Sequence, residues 1–440
     1  MKNSTFILKS LLVTALLTTG TGLYLSSSSL TEAASVTSTS TSATNAESTT
    51  SLKLKWKTKA DGVGLYDDFA PISNGLFFYS KGGILQATDI ATGIVKWTYK
   101  KGESPKIVTR NSVFFITFEG YLVKVEAKTG KVIWKVKAAQ FPIEVGAYAE
   151  LRDGVVYFWN ERGGITAYNP VSGHKIWENK NIPMYVGSII GQYKNVLVVK
   201  STVNNIRSQF FGLDPASGKI LWRTEGIFYF IAYRDGELIL RQDADAAYTF
   251  PITPTPGSMV TLIKVDVSTG KVTGEENYKT VNDVSRLGNI YTSLQGSYVY
   301  TVDGNLDKDE DFLNRFTLGQ ASETPPTSFE EFGKWLAGPS NGMIFFQKGK
   351  QITGVNAYNN SRVTFDSLAG SSLNLQLIGN GVYTGDDKGN FYIMNMATGK
   401  ILGTLKTGAG QYGKIYVVNN TVLIHTEHDI YAIALPNELQ

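Results

Sequence analysis

One phrase recurs along this chain and constrains its fold more than any other feature. In it a turn glycine is followed four residues later by tryptophan, as in ATDIATGIVKW (87–97), VEAKTGKVIW (125–134), AYNPVSGHKIW (167–177) and GLDPASGKILW (212–222). The glycines are Gly93, Gly130, Gly173 and Gly218, and the tryptophans are Trp97, Trp134, Trp177 and Trp222. A repeat at this spacing indicates one structural unit used many times in tandem.

A polar residue stands four positions before each turn glycine. These residues are Asp89, Glu126, Asn169 and Asp214, and Asp266 stands in the same place before Gly270. An Asp or Asn side chain at the start of a turn accepts hydrogen bonds from backbone N–H groups two residues further on. Glycine then takes the positive φ that closes the turn without steric penalty. The phrase therefore predicts a tight hairpin turn.

Side chains alternate after the turn, as in a half-buried strand. Val95, Trp97 and Tyr99 alternate with Lys96 and Lys100, so the lysines face water on an outer strand. Two more strand-like runs precede each turn, and a further segment leads into them. Four short antiparallel strands per unit are typical of a β-propeller blade, so we expect an all-β propeller.

The number of blades depends on how the second half is divided. Turn glycines at 93, 130, 173, 218 and 270 are followed by Asn360, at a degenerate copy of the phrase, and by Gly399. Seven turns and a closing blade make eight blades, with an insertion at about 303–333. A hidden turn near 315 would make nine, and nine blades are rare. We therefore expect eight, with nine as the alternative.

The two ends of the repeat region complement each other. LKLKWKTK (52–59) resembles an outer strand, with Trp56 at the tryptophan position, and no inner strands precede it. TVLIHTEHDIYAIAL (421–435) supplies inner strands without an outer one. We therefore predict that the N-terminal strand pairs with the C-terminal blade and closes the ring, leaving no open sheet edge.

The phrase resembles the PQQ-like, or quinoprotein-type, β-propeller repeat over essentially residues 52–435. In that family the tryptophans dock between neighbouring blades, so the resemblance implies a structural role for Trp56 and the repeat tryptophans. The match weakens in the second half, where Gly274, Thr364 and Gly403 stand at the tryptophan position. The family includes quinone dehydrogenases as well as non-catalytic members, among them secreted proteins of Gram-positive bacteria.

The first residues predict export from the cell. Two lysines precede an apolar stretch and then small residues at 31–34, the pattern of a signal peptide cleaved after Ala33. Residues 34–51 are rich in Ser and Thr and predict a disordered leader, and residues 52–440 a single propeller domain. The apolar stretch is short for a membrane span. Because the chain has no cysteine, disulfides and lipid attachment through cysteine are excluded.

Charge gives little indication of a partner. A net charge of +4 from 42 basic and 38 acidic residues does not predict a nucleic-acid surface. We expect a secreted monomer that binds a protein or a cell-wall polysaccharide without catalysis. The alternative is a pyrroloquinoline-quinone-dependent dehydrogenase of alcohols or sugars. The resemblance weighs against the quinone, because alcohol-oxidising members hold it against a disulfide that this chain cannot form.

One acidic segment is a candidate calcium site. Oxygen-bearing side chains stand at alternate positions, namely Asp303, Asn305, Asp307, Asp309 and Asp311. Ca²⁺ takes six to eight oxygen ligands, and such a loop supplies several of them. Lys308 and Asn314 stand where a calcium loop would have glycine and glutamate, so a solvated acidic loop is the alternative.

Three weaker candidates remain. The aromatic run 228–233 could stack a sugar, Asp243 and Asp245 could act as paired carboxylates, and His425, His428 and Asp429 could contribute metal ligands. For the last group, spacing in a strand and turn favours diverging side chains. No Walker loop, dinucleotide fingerprint or nucleophile elbow is present in the sequence.

Overall fold

The computed structural model describes residues 50–440 except 64–68, 140–145, 161, 163, 185–186, 204–206, 225–227, 243–258, 280–290, 306–309, 321–323 and 341. The expected signal peptide and nearly all of the expected leader lie outside this part. Over the described residues the chain forms β-strands and two short 3₁₀ helices, Glu330–Phe332 and Asn437–Leu439. In that same part, none of the helices has the length and apolar character needed to span a membrane.

Nine four-stranded antiparallel sheets are described, and each is one propeller blade. The first strand, β1 (Leu54–Lys59), belongs to the last blade. Blade 1 is β2 (Ile72–Ser73), β3 (Leu76–Lys81), β4 (Ile84–Asp89) and β5 (Val95–Lys100). Blade 2 is β6 (Ile107–Val108), β7 (Ser112–Ile116), β8 (Tyr121–Glu126) and β9 (Val132–Lys137). Blade 3 is β10 (Ala147–Arg152), β11 (Val155–Asn160), β12 (Gly164–Tyr168) and β13 (Lys175–Asn179).

The middle blades continue in sequence order. Blade 4 is β14 (Ser188–Tyr193), β15 (Val196–Val203), β16 (Arg207–Leu213) and β17 (Ile220–Thr224). Blade 5 is β18 (Phe228–Arg234), β19 (Glu237–Gln242), β20 (Met259–Asp266) and β21 (Val272–Lys279). Blade 6 is β22 (Thr292–Gln295), β23 (Tyr298–Asn305), β24 (Glu310–Thr317) and β25 (Thr327–Ser328).

The last three blades lead back to the N-terminal strand. Blade 7 is β26 (Lys334–Ser340), β27 (Met343–Lys348), β28 (Gln351–Asn356) and β29 (Arg362–Thr364). Blade 8 is β30 (Ser372–Ile378), β31 (Gly381–Asp386), β32 (Asn390–Asn395) and β33 (Ile401–Lys406). Blade 9 is β34 (Tyr416–Val418), β35 (Thr421–His425), β36 (Asp429–Ala434) and β1.

The favoured count of eight is therefore corrected to nine, the alternative count. The segment expected as an insertion at about 303–333 supplies part of β23, all of β24 and β25, and the 3₁₀ helix Glu330–Phe332. Blade 6 was not recognised in the sequence because it lacks the turn phrase. Its third strand ends at Thr317, and its fourth has only two residues, Thr327 and Ser328.

The predicted ring closure is confirmed. Strand β1 pairs antiparallel with β36, with Lys57 opposite Tyr431 and Lys59 opposite Asp429. The residues just before β1 pair with blade 8, because Leu52 N–H donates to the Thr404 carbonyl and Thr404 N–H donates to the Thr50 carbonyl, each at 3.0 Å. One short N-terminal segment therefore joins blade 8 to blade 9.

The core lies between blades. On β3, Phe77 and Tyr79 pack in the cluster shared with blade 9, whereas Phe78 packs in the cluster shared with blade 2. Alternate residues of a strand point to opposite faces, so both faces of an inner strand are buried. In the described residues nine such clusters link successive blades, and one of them links blade 9 to blade 1.

Candidate functional site

The repeat tryptophans join each blade to the next. The Trp177 ring lies so close to Gly218 that a Cβ on this glycine would come within 2.3 Å of it. Its indole Nε1 donates to the carbonyl three residues before the glycine, Pro215, at 2.8 Å. The same bond recurs from Trp56 to Ile90, from Trp97 to Ala127, from Trp134 to Pro170 and from Trp222 to Val267, at 2.8 to 3.1 Å. Five consecutive junctions thus have one geometry.

Other contacts replace this geometry in the second half of the ring. Arg315 donates to the Ala357 carbonyl, which stands three residues before Asn360. A Cβ on Gly403 would come within 2.4 Å of Leu52, which the N-terminal segment supplies. A Cβ on Gly399 would come within 2.2 Å of the Thr364 carbonyl. Backbone and aliphatic groups therefore fill the space that tryptophan occupies elsewhere.

The polar turn residues hold the hairpins that carry these glycines. Asp89 Oδ1 accepts hydrogen bonds from the N–H groups of Ala91 and Thr92 at 3.1 and 2.9 Å. Asn169, Asp214, Asp266, Asn356 and Asn395 accept in the same way. Turn glycines Gly93, Gly130, Gly173, Gly218, Gly270 and Gly399 have φ between 68° and 75°, and Asn360 has φ 58°. These residues therefore shape the turns.

A groove lies between the outer strands of blades 3 and 4. Two adjoining hollows of about 540 Å³ each share Asn181 and Ile220. The first is also lined by Glu178, Asn179, Lys180, Ser217, Gly218 and Lys219, and the second by Pro183, Gln209, Phe211 and Arg223. A mixture of apolar floor and polar walls is typical of a binding surface.

Hydrogen bonds fix the wall of this groove on the blade 3 side. Asn179 Nδ2 donates to the Gly218 carbonyl across the groove at 2.7 Å, and its Oδ1 accepts from Asn181 N–H at 2.9 Å. The chain is thus tied to blade 4 at the point where it leaves β13. These two bonds fix the position of the wall residue Asn179.

The electrostatics of the groove favour an anionic or neutral ligand. Its cations are Lys180, Lys219 and Arg223, and its carboxylate is Glu178. A hydrogen bond from Lys175 holds the pKa of Glu178 below its usual range, and Lys180 lies 3.5 Å from the same carboxylate. Glu178 is therefore already engaged by lysines, and the lining of the groove carries three exposed cations against this one carboxylate.

The candidate ligands His425, His428 and Asp429 have different surroundings, and His428 is exposed whereas His425 is buried. His425 is 2% exposed and packs edge-on against Phe77, with ring centroids 6.4 Å apart. Glu427 accepts from the Gly410 and Gln411 N–H groups, and Asp429 is paired with Lys57 at 3.0 Å. In the described residues, no three His, Asp or Glu side chains are grouped to hold a metal ion.

Asp429 serves ring closure. Its two oxygens lie 3.0 Å from Lys57 Nζ and 3.1 Å from Lys59 Nζ, and both lysines are on β1. Burial alone would raise the pKa of Asp429, but the two lysines outweigh burial and hold it below its usual range. The carboxylate therefore remains ionised and pairs with the N-terminal strand.

The aromatic run on β18 is divided between different environments. Phe228 is buried in the core between blades 4 and 5, and Phe230 and Tyr233 pack against that core. The Tyr229 ring lies beneath the Arg241 guanidinium, 4.3 Å from its centroid. These residues do not form one exposed floor for a sugar. The expected carboxylate pair, Asp243 and Asp245, lies outside the described residues.

The calcium segment falls on the hairpin that joins β23 and β24. The backbones of Asp303 and Asn305 are in β23 and that of Asp311 is in β24, where Gly304 pairs with Asp311. Asp307 and Asp309 lie outside the described residues, and so do the side chains of 303–311. Calcium binding at Asp303, Asn305 and Asp311 stays a prediction.

The groove was not predicted from the sequence. Its walls come from positions about 40 residues apart, which only blade packing brings together. A polar run, Glu178 to Asn181, follows Trp177 directly and leads away from the outer strand. That run was the local signal from which the groove could have been found.

Solved structures that are similar to this chain include the following two. The crystal structure of BamB from Moraxella catarrhalis is similar over 87% of this chain and 100% of its own, with 14% identity and a TM-score of 0.43. The quinohemoprotein alcohol dehydrogenase from Comamonas testosteroni is similar over 87% of this chain and 76% of its own, with 13% identity and a TM-score of 0.43. Among curated proteins, no sequence matches the chain.

A protein-family model matches residues 34–224 and 119–305. The two matches overlap, as repeats of one unit would, and together they span more than half of the chain. The chain therefore belongs to the PQQ-like β-propeller family whose model is described as outer membrane protein assembly factor BamB.

Proposed function

We propose that this protein is a non-catalytic binding module that acts outside the cell, and that its partner is a protein or a cell-wall glycan. The groove between blades 3 and 4 carries this proposal. It has an apolar floor at Phe211 and Ile220 and hydrogen-bonding walls, the composition expected of a recognition surface. Export rests on the signal-peptide pattern of residues 1–33.

The shape of the groove suits an extended ligand. It follows the boundary between two outer strands and is open to solvent, and it is lined by Lys180 from the blade 3 side and Lys219 from blade 4. Lysines on flexible stems adapt to a polymer or a peptide better than to one small molecule. A glycan chain or a polypeptide segment fits these requirements.

Site-specific photo-cross-linking tests the groove. A photoreactive residue at Asn181 should cross-link to a partner when the protein is mixed with purified cell-wall sacculi or culture-medium proteins. Lys400 provides the control, because it is exposed and directly follows its turn glycine, as Lys219 does. We expect a cross-link at Asn181 and none at Lys400. The double substitution Lys180→Glu with Lys219→Glu should abolish the cross-link at Asn181. Equal yields at both positions would contradict the proposal.

A second experiment addresses the dehydrogenase alternative. Purified protein is mixed with pyrroloquinoline quinone and Ca²⁺, and reduction of an artificial dye is followed with alcohols and sugars as substrates. We expect no reduction above a heat-denatured control. Turnover of any of these substrates would contradict a non-catalytic function.

A further inference from the structure

Charge is distributed unevenly around the ring. Residues 52–224, which form β1 and blades 1 to 4, contain 24 basic and 13 acidic residues, a net charge of +11. Residues 225–440 contain 16 basic and 23 acidic residues, a net charge of −7. The small net charge of the whole chain therefore conceals a positive half and a negative half.

The positive charge is concentrated on outer strands. Strands β1, β5, β9, β13 and β17 carry nine cations and a single carboxylate, Glu178; the cations are Lys55, Lys57, Lys59, Lys96, Lys100, Lys135, Lys137, Lys175 and Arg223. Lys53, Lys131 and Lys219 directly precede three of these strands. We call these twelve residues the basic arc. All twelve are exposed, and they lie on five consecutive blades, 9 and 1 to 4.

Protection of sheet edges does not explain the arc by itself. Lysines on an outer strand do prevent pairing with other chains, but charges of either sign do so. The outer strands of blades 5 to 8, which are β21, β25, β29 and β33, carry three cations and two carboxylates. An excess of nine cations over one carboxylate on five adjacent edges therefore requires a second reason.

Several lysines of the arc are not neutralised. Lys57 and Lys59 share Asp429, and Lys96 pairs with Asp89 at 3.6 Å. For Lys135 and Lys137 no described carboxylate lies within ion-pair distance. Their ammonium groups lie 3.9 and 5.0 Å from the Tyr121 ring centroid, which positions both. The charge of Lys135 also acts on the Glu119 carboxylate, but Glu119 is already paired with Lys101 at 2.6 Å. One carboxylate therefore faces three lysines, and the local charge stays positive.

We propose that the basic arc binds a linear phosphodiester polymer. Lysine supplies eleven of its twelve cations, and lysine binds phosphate as a point charge without the bidentate geometry of arginine. Lysines two residues apart on one strand repeat at about 7 Å, and the array recurs from blade to blade. A long flexible polyanion can follow such a convex edge, whereas an acidic globular protein would touch only part of it.

This inference deepens the proposed binding function and rests on it. The arc includes two walls of the groove, Lys219 and Arg223, but it extends over three further blades and β1. The polymer would therefore enter the groove as part of a longer path along the rim. If the protein does not bind the polymer but a partner still cross-links at Asn181, the proposal for the basic arc is wrong and the proposed binding function stands.

The test is titration of the full-length protein with soluble poly(glycerol phosphate) at several salt concentrations. Four contacted phosphates give a slope of log affinity against log salt of about −3, or roughly a 50-fold loss between 50 and 200 mM NaCl. Lys131→Glu with Lys137→Glu should reduce the magnitude of the slope by about 1.4. Polyglutamate of equal charge should bind more weakly than the polymer.

The matched control is Lys400→Glu with Lys406→Glu. These lysines occupy the same repeat positions in blade 8, and Lys406 donates to a hairpin carbonyl, Lys388, as Lys137 does to Glu119. Both double variants should melt like the wild type, and only the arc variant should lose polymer affinity. Absence of binding at 50 mM salt, equal losses in both variants, or tighter binding of polyglutamate would each overturn the proposal.

Discussion

The indole Nε1 of Trp222 donates a 2.8 Å hydrogen bond to the backbone carbonyl of Val267, and this bond ties blade 4 to blade 5. Trp222 is 7% exposed and belongs to the core that the two blades share. The contact is the last of the five tryptophan junctions along the chain. Later junctions are made by Arg315, Thr364 and Leu52 instead. The ring is thus held by one repeated contact through half its circumference and by varied contacts through the rest.

Trp222→Ala should lower the free energy of unfolding by about 3–5 kcal/mol, because a large buried ring is lost and a cavity is left. Trp222→Phe should cost less, since it keeps most of the packing and removes the hydrogen bond. Leu221→Ala is the control, because the side chain of Leu221, next to Trp222, is 49% exposed. This substitution should change the free energy of unfolding by less than about 0.5 kcal/mol. Urea unfolding measures all three. Equal stability of Trp222→Ala and the wild type would contradict a structural role for the ring.

Gly218→Ala should destabilise the protein more than Gly296→Ala. Both glycines have a positive φ, 71° and 59°, so both substitutions strain the backbone by roughly 1–2 kcal/mol. A Cβ at position 218 would also lie 2.3 Å from the Trp177 ring, whereas none of the described neighbours lies within 4 Å at position 296. Overpacking adds about 1–3 kcal/mol at Gly218. Thermal melting of the two variants measures the difference, and equal losses would show that the tryptophan contact does not constrain this glycine.

How much the sequence could predict depended on whether a contact leaves a local pattern. The turn from Asp89 to Gly93 and the complementary ends of the chain do so, and blade architecture and ring closure were predicted from them. Blade 6 lacks the phrase, so it was not counted; there Gly319 N–H donates to Glu276 and Tyr278 of blade 5, and no repeat tryptophan makes the junction. The groove and the basic arc arise where separate blades meet, and no single stretch of sequence encodes them.

Buried His425 should make the protein less stable in mild acid. Burial lowers the pKa of this imidazole to about 4, against a hydrogen bond that the ring donates to the Gly62 backbone and that raises it. Because the ordinary value is about 6.5, the unfolded chain binds the proton first, and stability falls as the pH decreases from about 6.5 to 4. The loss over this range is about 3 kcal/mol.

His425→Phe should flatten this dependence, since the new ring cannot titrate and can pack beside Phe77. His428→Gln is the control, because His428 is exposed and three residues away. The measurement is the urea midpoint between pH 7 and pH 4. If the dependence of stability on pH is unchanged in His425→Phe and reduced in His428→Gln, the effect arises from His428 and the account of His425 is wrong.

Calcium removal tests the acidic hairpin between β23 and β24. If Asp303, Asn305 and Asp311 bind the ion with the segment between them, EDTA should lower the melting temperature and added Ca²⁺ should restore it, because a ligand that binds only the folded state stabilises it. Asp303→Asn with Asp311→Asn should melt at the EDTA value under both conditions. A melting temperature that does not respond to EDTA would exclude calcium at this position.

Ring closure by the N-terminal strand is tested most directly by a designed disulfide. The chain has no cysteine, so Lys59→Cys with Asp429→Cys introduces the only two thiols, at positions that face each other on β1 and β36. Opposed residues on antiparallel strands lie within the Cα separation that a disulfide spans, whereas Lys55→Cys with Asp429→Cys places the thiols about 13 Å further apart along the strand. Oxidation followed by mass spectrometry of the digested protein should give a linked peptide pair for the first variant and none for the second. Equal linkage in both variants, or none in the first, would contradict a ring closed by this strand.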